Sequence, residues 1–136
     1  MKKSERQLIF QKYNGKCAYC GCELMKGWHV DELLPVLRYE KYLKDEIGNR
    51  IWCDVKHCYK TEKAMEHPER LHIDNQNPAC ASCNILKSSH SIEEFRRIIG
   101  AFINSLNSYT NQYKFAKRYG LVEETNKPVV FYFETI

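Results

Sequence analysis

Two Cys-x-x-Cys pairs, set sixty residues apart, constrain this chain more than any other feature. The first is Cys17-Ala18-Tyr19-Cys20, inside Asn14-Gly15-Lys16-Cys17-Ala18-Tyr19-Cys20-Gly21-Cys22; the second is Cys80-Ala81-Ser82-Cys83, followed by Asn84 and Lys87. Each pair is a turn that aims two thiolates at one point. Together they supply the closed tetrahedral set of a structural zinc. With no open position, such a zinc folds the chain and does not catalyse. Cys22 lies two residues past Cys20 and competes with it as a ligand; Cys20 is the preferred one. The bland alternative, two unrelated redox or core cysteine pairs, ranks below the zinc site. Seven cysteines is an odd count, and neither a signal peptide nor a long apolar span is visible. A reducing, cytosolic compartment is thus expected over a disulfide framework.

At 136 residues the chain is expected to form one domain. A formal charge of +4 admits an anionic partner such as nucleic acid without requiring one. The pattern predicts a helix over Ser4 to Tyr13, capped by Ser4 and ended by Asn14-Gly15. Trp28 to Leu33 reads as a strand, with Pro35 marking its end. Alternation puts His29, Asp31 and Leu33 on one face and Trp28, Val30 and Glu32 on the other. Asp31 and Glu32 therefore cannot both point at one ion from an ideal strand.

From Leu37 to Asp74 the signals are mixed. Arg38 to Glu46 carries alternating charges and reads as a short helix; Leu71-His72-Ile73 reads as a second short strand. Cys53, His57, Cys58, His67 and His72 match no finger spacing and read as core thiols and surface imidazoles. Glu93 to Asn107 is the clearest helix, with an apolar stripe from Ile92 through Phe95, Ile99 and Ile103 to Leu106. Ser91 and Glu94 have capping-box spacing. Tyr109 to Tyr119 reads as a further helix, and Val129 to Phe133 as a strand by its β-branched and aromatic content.

Taken in order, C-A-Y-C-G, W-H-V-D-x-x-x-P and D-N-x-x-P-A-C-x-x-C-N-x-x-K resemble an HNH endonuclease of the ββα-metal (His-Me finger) type. More narrowly, the chain is similar to small phage and prophage HNH proteins. That similarity includes Ser91-Ile92-Glu93-Glu94-Phe95-Arg96-Arg97, and Arg118-Tyr119-Gly120-Leu121-Val122 through Lys127-Pro128-Val129-Val130-Phe131-Tyr132-Phe133-Glu134. It covers most of the chain and is weakest from Tyr39 to His67. The fold it implies is a small α+β, zinc-stapled ββα-metal domain with flanking helices and a C-terminal strand. Its core would span about 14–107, with an insertion at about 37–74 and a C-terminal helix and strand at 108–136.

The resemblance also implies roles. Asp31 and Asn84 would hold a catalytic Mg²⁺ or Mn²⁺, and Asn75 would be the asparagine that orients the fold between the strands. Glu32 stands at the general-base position, where the family pattern has histidine. Histidine suits that role by its near-neutral pKa, whereas an unperturbed glutamate titrates near 4.3 and is a weak base. Three outcomes stay open: a slower nuclease, a nuclease using His29 or a mobile histidine, or a metal-binding protein that no longer cuts. His29 itself reads first as a packing histidine. Lys87, Arg96 and Arg97 follow the site on one segment and are the leading phosphate contacts.

The expected partner is DNA, cleaved by metal-dependent hydrolysis in the cytoplasm of a phage-infected or prophage-carrying bacterium. No membrane is involved in this reading, and the protein would be a monomer or homodimer. One rival is an HNH scaffold that grips nucleic acid or a host protein without cutting, as a counter-defence or regulatory factor. Another is a structural zinc protein of a larger particle.

Overall fold

The computed structural model describes residues 1–136. Helix α1 spans Lys3–Gln11. It starts one residue before the expected Ser4, and Ser4 is not its cap. The Glu5 carboxylate instead accepts the Lys2 N–H at 2.9 Å, satisfying a donor that the helix cannot. Asn14 and Gly15 end this segment with φ of 53° and 73°. A side chain on Gly15 would also strike the Phe10 ring, at 2.9 Å.

Strand β1 (His29–Glu32) pairs antiparallel with a partner far along the chain. That partner is not Leu71–Ile73, as the sequence suggests. Ile73–Asn75 forms a 3-10 turn, and the strand is Gln76–Ala79. Pro78 is tolerated because its carbonyl, not the missing N–H, is used: it accepts from Ala18 N at 2.8 Å. The first cysteine turn thereby covers the outer edge of this second strand.

Between them lies an arm of two-stranded pieces: β2 (Arg38–Tyr42), β3 (Trp52–Cys53), β4 (Cys58–Tyr59) and β5 (Thr61–Met65). Gln76–Ala79 is accordingly β6. The expected short helix at Arg38 to Glu46 is corrected to strand β2. Its alternating charges are answered across the ladder: Glu40 faces Lys63 and Lys41 faces Glu62. A partner twenty residues away is invisible to local periodicity. Three pairings of the arm, β2 with β5, β3 with β4 and the isolated bridge Lys44–Arg50, meet in a ring of backbone bonds: Leu43 N to Lys60 O (2.9 Å), Lys60 N to Ile51 O (2.8 Å), and Ile51 N to Leu43 O (3.0 Å). Arg50 lies over the Tyr42 ring, and Tyr59 meets both Tyr42 and Trp52 edge-on. Cys53 and Cys58 are register partners at one hairpin and are free thiols.

Helix α2 (Ala81–Lys87) follows β6 directly. Ser91 caps α3 (Ile92–Gly100) in a full capping box with Glu94. The single helix expected to Asn107 breaks at Ala101 and resumes as α4 (Phe102–Tyr109), followed by α5 (Asn111–Arg118). The apolar stripe is split accordingly. Phe95 is fully buried and Ile92 and Ile99 pack on the core, whereas Phe102 and Ile103 on α4 are exposed.

The C-terminal strand is also corrected. Tyr132–Glu134 is a 3-10 turn, and the segment bonds to the first cysteine turn: Tyr132 N to Tyr19 O (3.0 Å) and Phe133 N to Ala18 O (2.8 Å). What the β-branched and aromatic residues supply is packing. Phe131 stacks on Phe95 at 5.1 Å, and Tyr19 sits edge-on to both and to Phe133. Only 14 of 136 residues are buried. So small a core would leave a metal ion held by the cysteine turns a large share of the stability.

Candidate metal centre and adjoining cleft

The Sγ atoms of Cys17, Cys20, Cys80 and Cys83 all lie within 4.8 Å of one another. Four sulfurs at 2.3 Å from a tetrahedral zinc stand about 3.8 Å apart. Cys20 and Cys80 are separated by 3.8 Å. Backbone N–H groups point at the sulfurs, from Cys80 to Cys17 (3.3 Å) and from Cys83 to Cys80 (3.4 Å). A hydrogen bond from Cys83, joined by backbone donors, pulls the Cys17 thiol down to about 4. Cys83 moves the other way, chiefly through that same bond. This donor set could hold a metal ion and suits structural zinc. Cys22 is a fifth thiol beside the cluster, exposed and pushed up to about 12 by its hydrogen bond with Cys20.

The cluster brings the first cysteine turn to the β6–α2 junction, β1 pairs with β6, and Asp31 lies inside that frame. It is 6% exposed. Lys87, fully buried on the last turn of α2, reaches Asp31 Oδ2 at 3.0 Å and donates to the Glu32 carbonyl at 2.7 Å. Tyr19, from the first cysteine turn, donates its hydroxyl to the same Oδ2. Burial raises the Asp31 pKa against the pull of Tyr19 and Lys87. Burial, then the Asp31 charge, raises that of Tyr19.

Lys87 is thus not available as the phosphate contact expected of it; its ammonium is spent inside the fold. Arg96 is committed as well. Its guanidinium forks onto Glu134 and Glu93, donates to the Val129 carbonyl and lies over the Phe131 ring at 4.8 Å. It clamps the C-terminal segment to α3. Arg97 remains exposed on α3.

Asn75 is 5% exposed, and its side chain closes the loop after β1. Oδ1 accepts from Leu34 N (2.8 Å), while Nδ2 donates to the carbonyls of Leu34 (2.9 Å) and Arg70 (3.0 Å). Asn75 lies in the 3-10 turn that leads into β6. Asp31, Glu32 and Asn84 line one cleft of about 410 Å³, together with Arg38 and Ser88. The regular register Asp31–Asn77 and Glu32–Gln76 puts the two side chains on opposite strand faces, although both residues line this cleft. Glu32 pairs with Arg38 at 2.7 Å. His29 is exposed and lines a second, larger cleft of about 970 Å³ that shares Val30, Glu32 and Arg38 with the first.

Two residues of this site carry no advance signal. Tyr19 is one of the free positions in a Cys-x-x-Cys turn, and Arg38 is one basic residue among many. Neither the cysteine spacing nor the charge pattern distinguishes them.

Fold and centre together define a class: a small α+β domain with short antiparallel sheets, and a four-cysteine cluster placed to hold a metal ion. No helix is long and apolar enough to cross a membrane. A scan against protein-family models and searches of curated proteins and of solved structures find no match.

Proposed function

We propose that the chain is a metal-dependent endonuclease of the HNH type, hydrolysing DNA phosphodiester bonds at the cleft lined by Asp31, Glu32 and Asn84. One observation carries the reading. Asp31 and Asn84 open onto a common cleft in a strand–strand–helix unit whose strand-to-helix junction is tied to the first cysteine turn by the four sulfurs. Asp31 Oδ1 takes no protein hydrogen bond, and with the Asn84 amide oxygen it offers hard donors in a cleft with room for water. These two residues would hold Mg²⁺ or Mn²⁺. The ion's contribution when bound is charge neutralisation at the phosphate and the leaving oxygen.

The chain's own residues do the rest. Lys87 and Tyr19 lock the Asp31 carboxylate in one orientation, and Asn75 fixes the loop that follows it. Glu32 binds Arg38 through Oε1 and keeps Oε2 to take a proton from water. A phosphodiester presented in the cleft thus meets a fixed carboxylate on one side and a proton acceptor on the other.

The pairing of both carboxylates favours a second reading. Asp31 is neutralised by Lys87 and Glu32 by Arg38, and no histidine stands at the base position. That arrangement suits an HNH scaffold that binds nucleic acid or a host protein without cutting.

Supercoiled plasmid incubated with Mg²⁺ or Mn²⁺ separates the two. Nicking by the wild type that is abolished in an Asp31→Ala variant still folded by circular dichroism supports the nuclease. A silent wild type and an active Glu32→His make the protein a disabled relative. Absence of DNA retention even at low salt favours a protein partner.

A further inference from the structure

We propose that Arg38 is the phosphate-contacting residue of the cleft and that Glu32 positions it. The proposal rests on the nucleic-acid reading above and names the group that would meet the DNA backbone. Among the residues lining the cleft with Asp31 and Asn84, Arg38 is the one cation. Lys87, expected in that role, is fully buried against Asp31. The four charges here balance in two pairs. The buried carboxylate is matched by the buried ammonium, and the rim carboxylate by a guanidinium whose side chain is 54% exposed. Of the residues lining this cleft, Arg38 is therefore the one positive charge that a phosphate can reach.

The guanidinium is held but not saturated. Nη2 donates to Glu32 Oε1 at 2.7 Å and Nη1 to the Val36 carbonyl at 3.3 Å. Arginine carries five N–H donors, which leaves three for a ligand. Nη1 and Nη2 each hold one protein acceptor, so Nε and one hydrogen on each Nη stay free, and a planar guanidinium can present such donors to two phosphate oxygens. Its backbone is fixed too, because Arg38 opens β2 opposite Met65. Arg38 also lines the larger cleft that holds His29 and Trp28. A strand of nucleic acid running from one cleft to the other passes this side chain.

The test is fluorescence-anisotropy binding of a labelled DNA duplex by the zinc-loaded full chain, without added divalent metal, across a salt series. Arg38→Gln is expected to weaken binding about five- to tenfold at low salt and to reduce the slope of log K against log salt by about one. Arg38→Lys is expected to keep the slope but recover only part of the affinity, since a point charge lacks the fork. Glu32→Ala gives the signed test of positioning. Deleting a carboxylate beside a phosphate site ordinarily tightens binding; here it is expected to weaken it about threefold, because Arg38 loses its anchor. Arg38→Lys binding as tightly as wild type would reduce Arg38 to generic surface charge, and tighter binding by Glu32→Ala would show that Arg38 needs no anchor; either overturns the assignment. A wild type that binds no duplex at low salt would instead remove the nucleic-acid reading on which it rests.

Discussion

Replacing Lys87 with methionine tests how Asp31 is held. Methionine keeps most of the buried volume and removes only the charge. The wild-type ammonium is fully buried, 3.0 Å from Asp31 Oδ2 and 2.7 Å from the Glu32 carbonyl. Without it, Asp31 keeps the Tyr19 hydroxyl but stands as a buried, uncompensated charge. Breaking such a pair from one side costs about 3–5 kcal/mol, a large part of a domain's total of roughly 5–15 kcal/mol. For a chain of this size that is a fall in Tm on the order of 10–20 °C.

The double variant Lys87→Met/Asp31→Asn removes both charges and is expected to recover most of the loss. Urea denaturation with zinc bound and no added magnesium measures each term. The pH dependence has a definite sign. Burial raises the folded-state pKa of Asp31 above its unfolded value, so the folded state binds the proton more tightly. The carboxyl then favours folding at low pH, and that contribution is lost as pH rises through the folded pKa. Without Lys87 the folded pKa rises further, so the stability gap between wild type and Lys87→Met narrows on acidification. A single-variant loss below about 1 kcal/mol, or a double variant no better than the single, would refute the account of Lys87 as the counter-charge of Asp31.

Further outcomes follow from the same structure. One zinc per chain is expected by metal analysis. Cys83→Ser should abolish tight binding and cooperative folding, whereas Cys22→Ser should leave both intact because Cys22 lies outside the four-sulfur set. Arg96→Ala is expected to lower Tm by freeing the C-terminal segment, while the salt slope of DNA binding stays unchanged; a reduced slope would return Arg96 to the phosphate contacts. Acid should also release that clamp, since Arg96 lowers the Glu134 pKa and the pairing is lost as pH falls through that lowered value.

Much of the frame is legible in the residues alone. The four thiols announce themselves by spacing, Ser91 and Glu94 by their capping box, and Asn14-Gly15 by the backbone angles they tolerate. The failures share a cause. Arg38 to Glu46 reads as a helix because its charges repeat locally, and β2 forms because Lys63 and Glu62 answer them from a distant strand. Val129 to Phe133 has strand composition, yet its aromatic rings are consumed by Phe95 and Tyr19 and no ladder forms. The site follows the same rule. Asp31 and Asn84 could be picked by motif, but whether a nearby cation faces solvent or the interior could not.

The sequence by itself determined which atoms are available: four soft sulfurs in two turns, a carboxylate pair on a short strand, and an amide following the second turn. These are covalent facts, and their spacing sets what each turn can reach. Only the tertiary structure decided how the charges are partnered. Pairing depends on which side chains lose water together, and Lys87 lost it with Asp31 while Arg38 kept half of its surface wet beside Glu32.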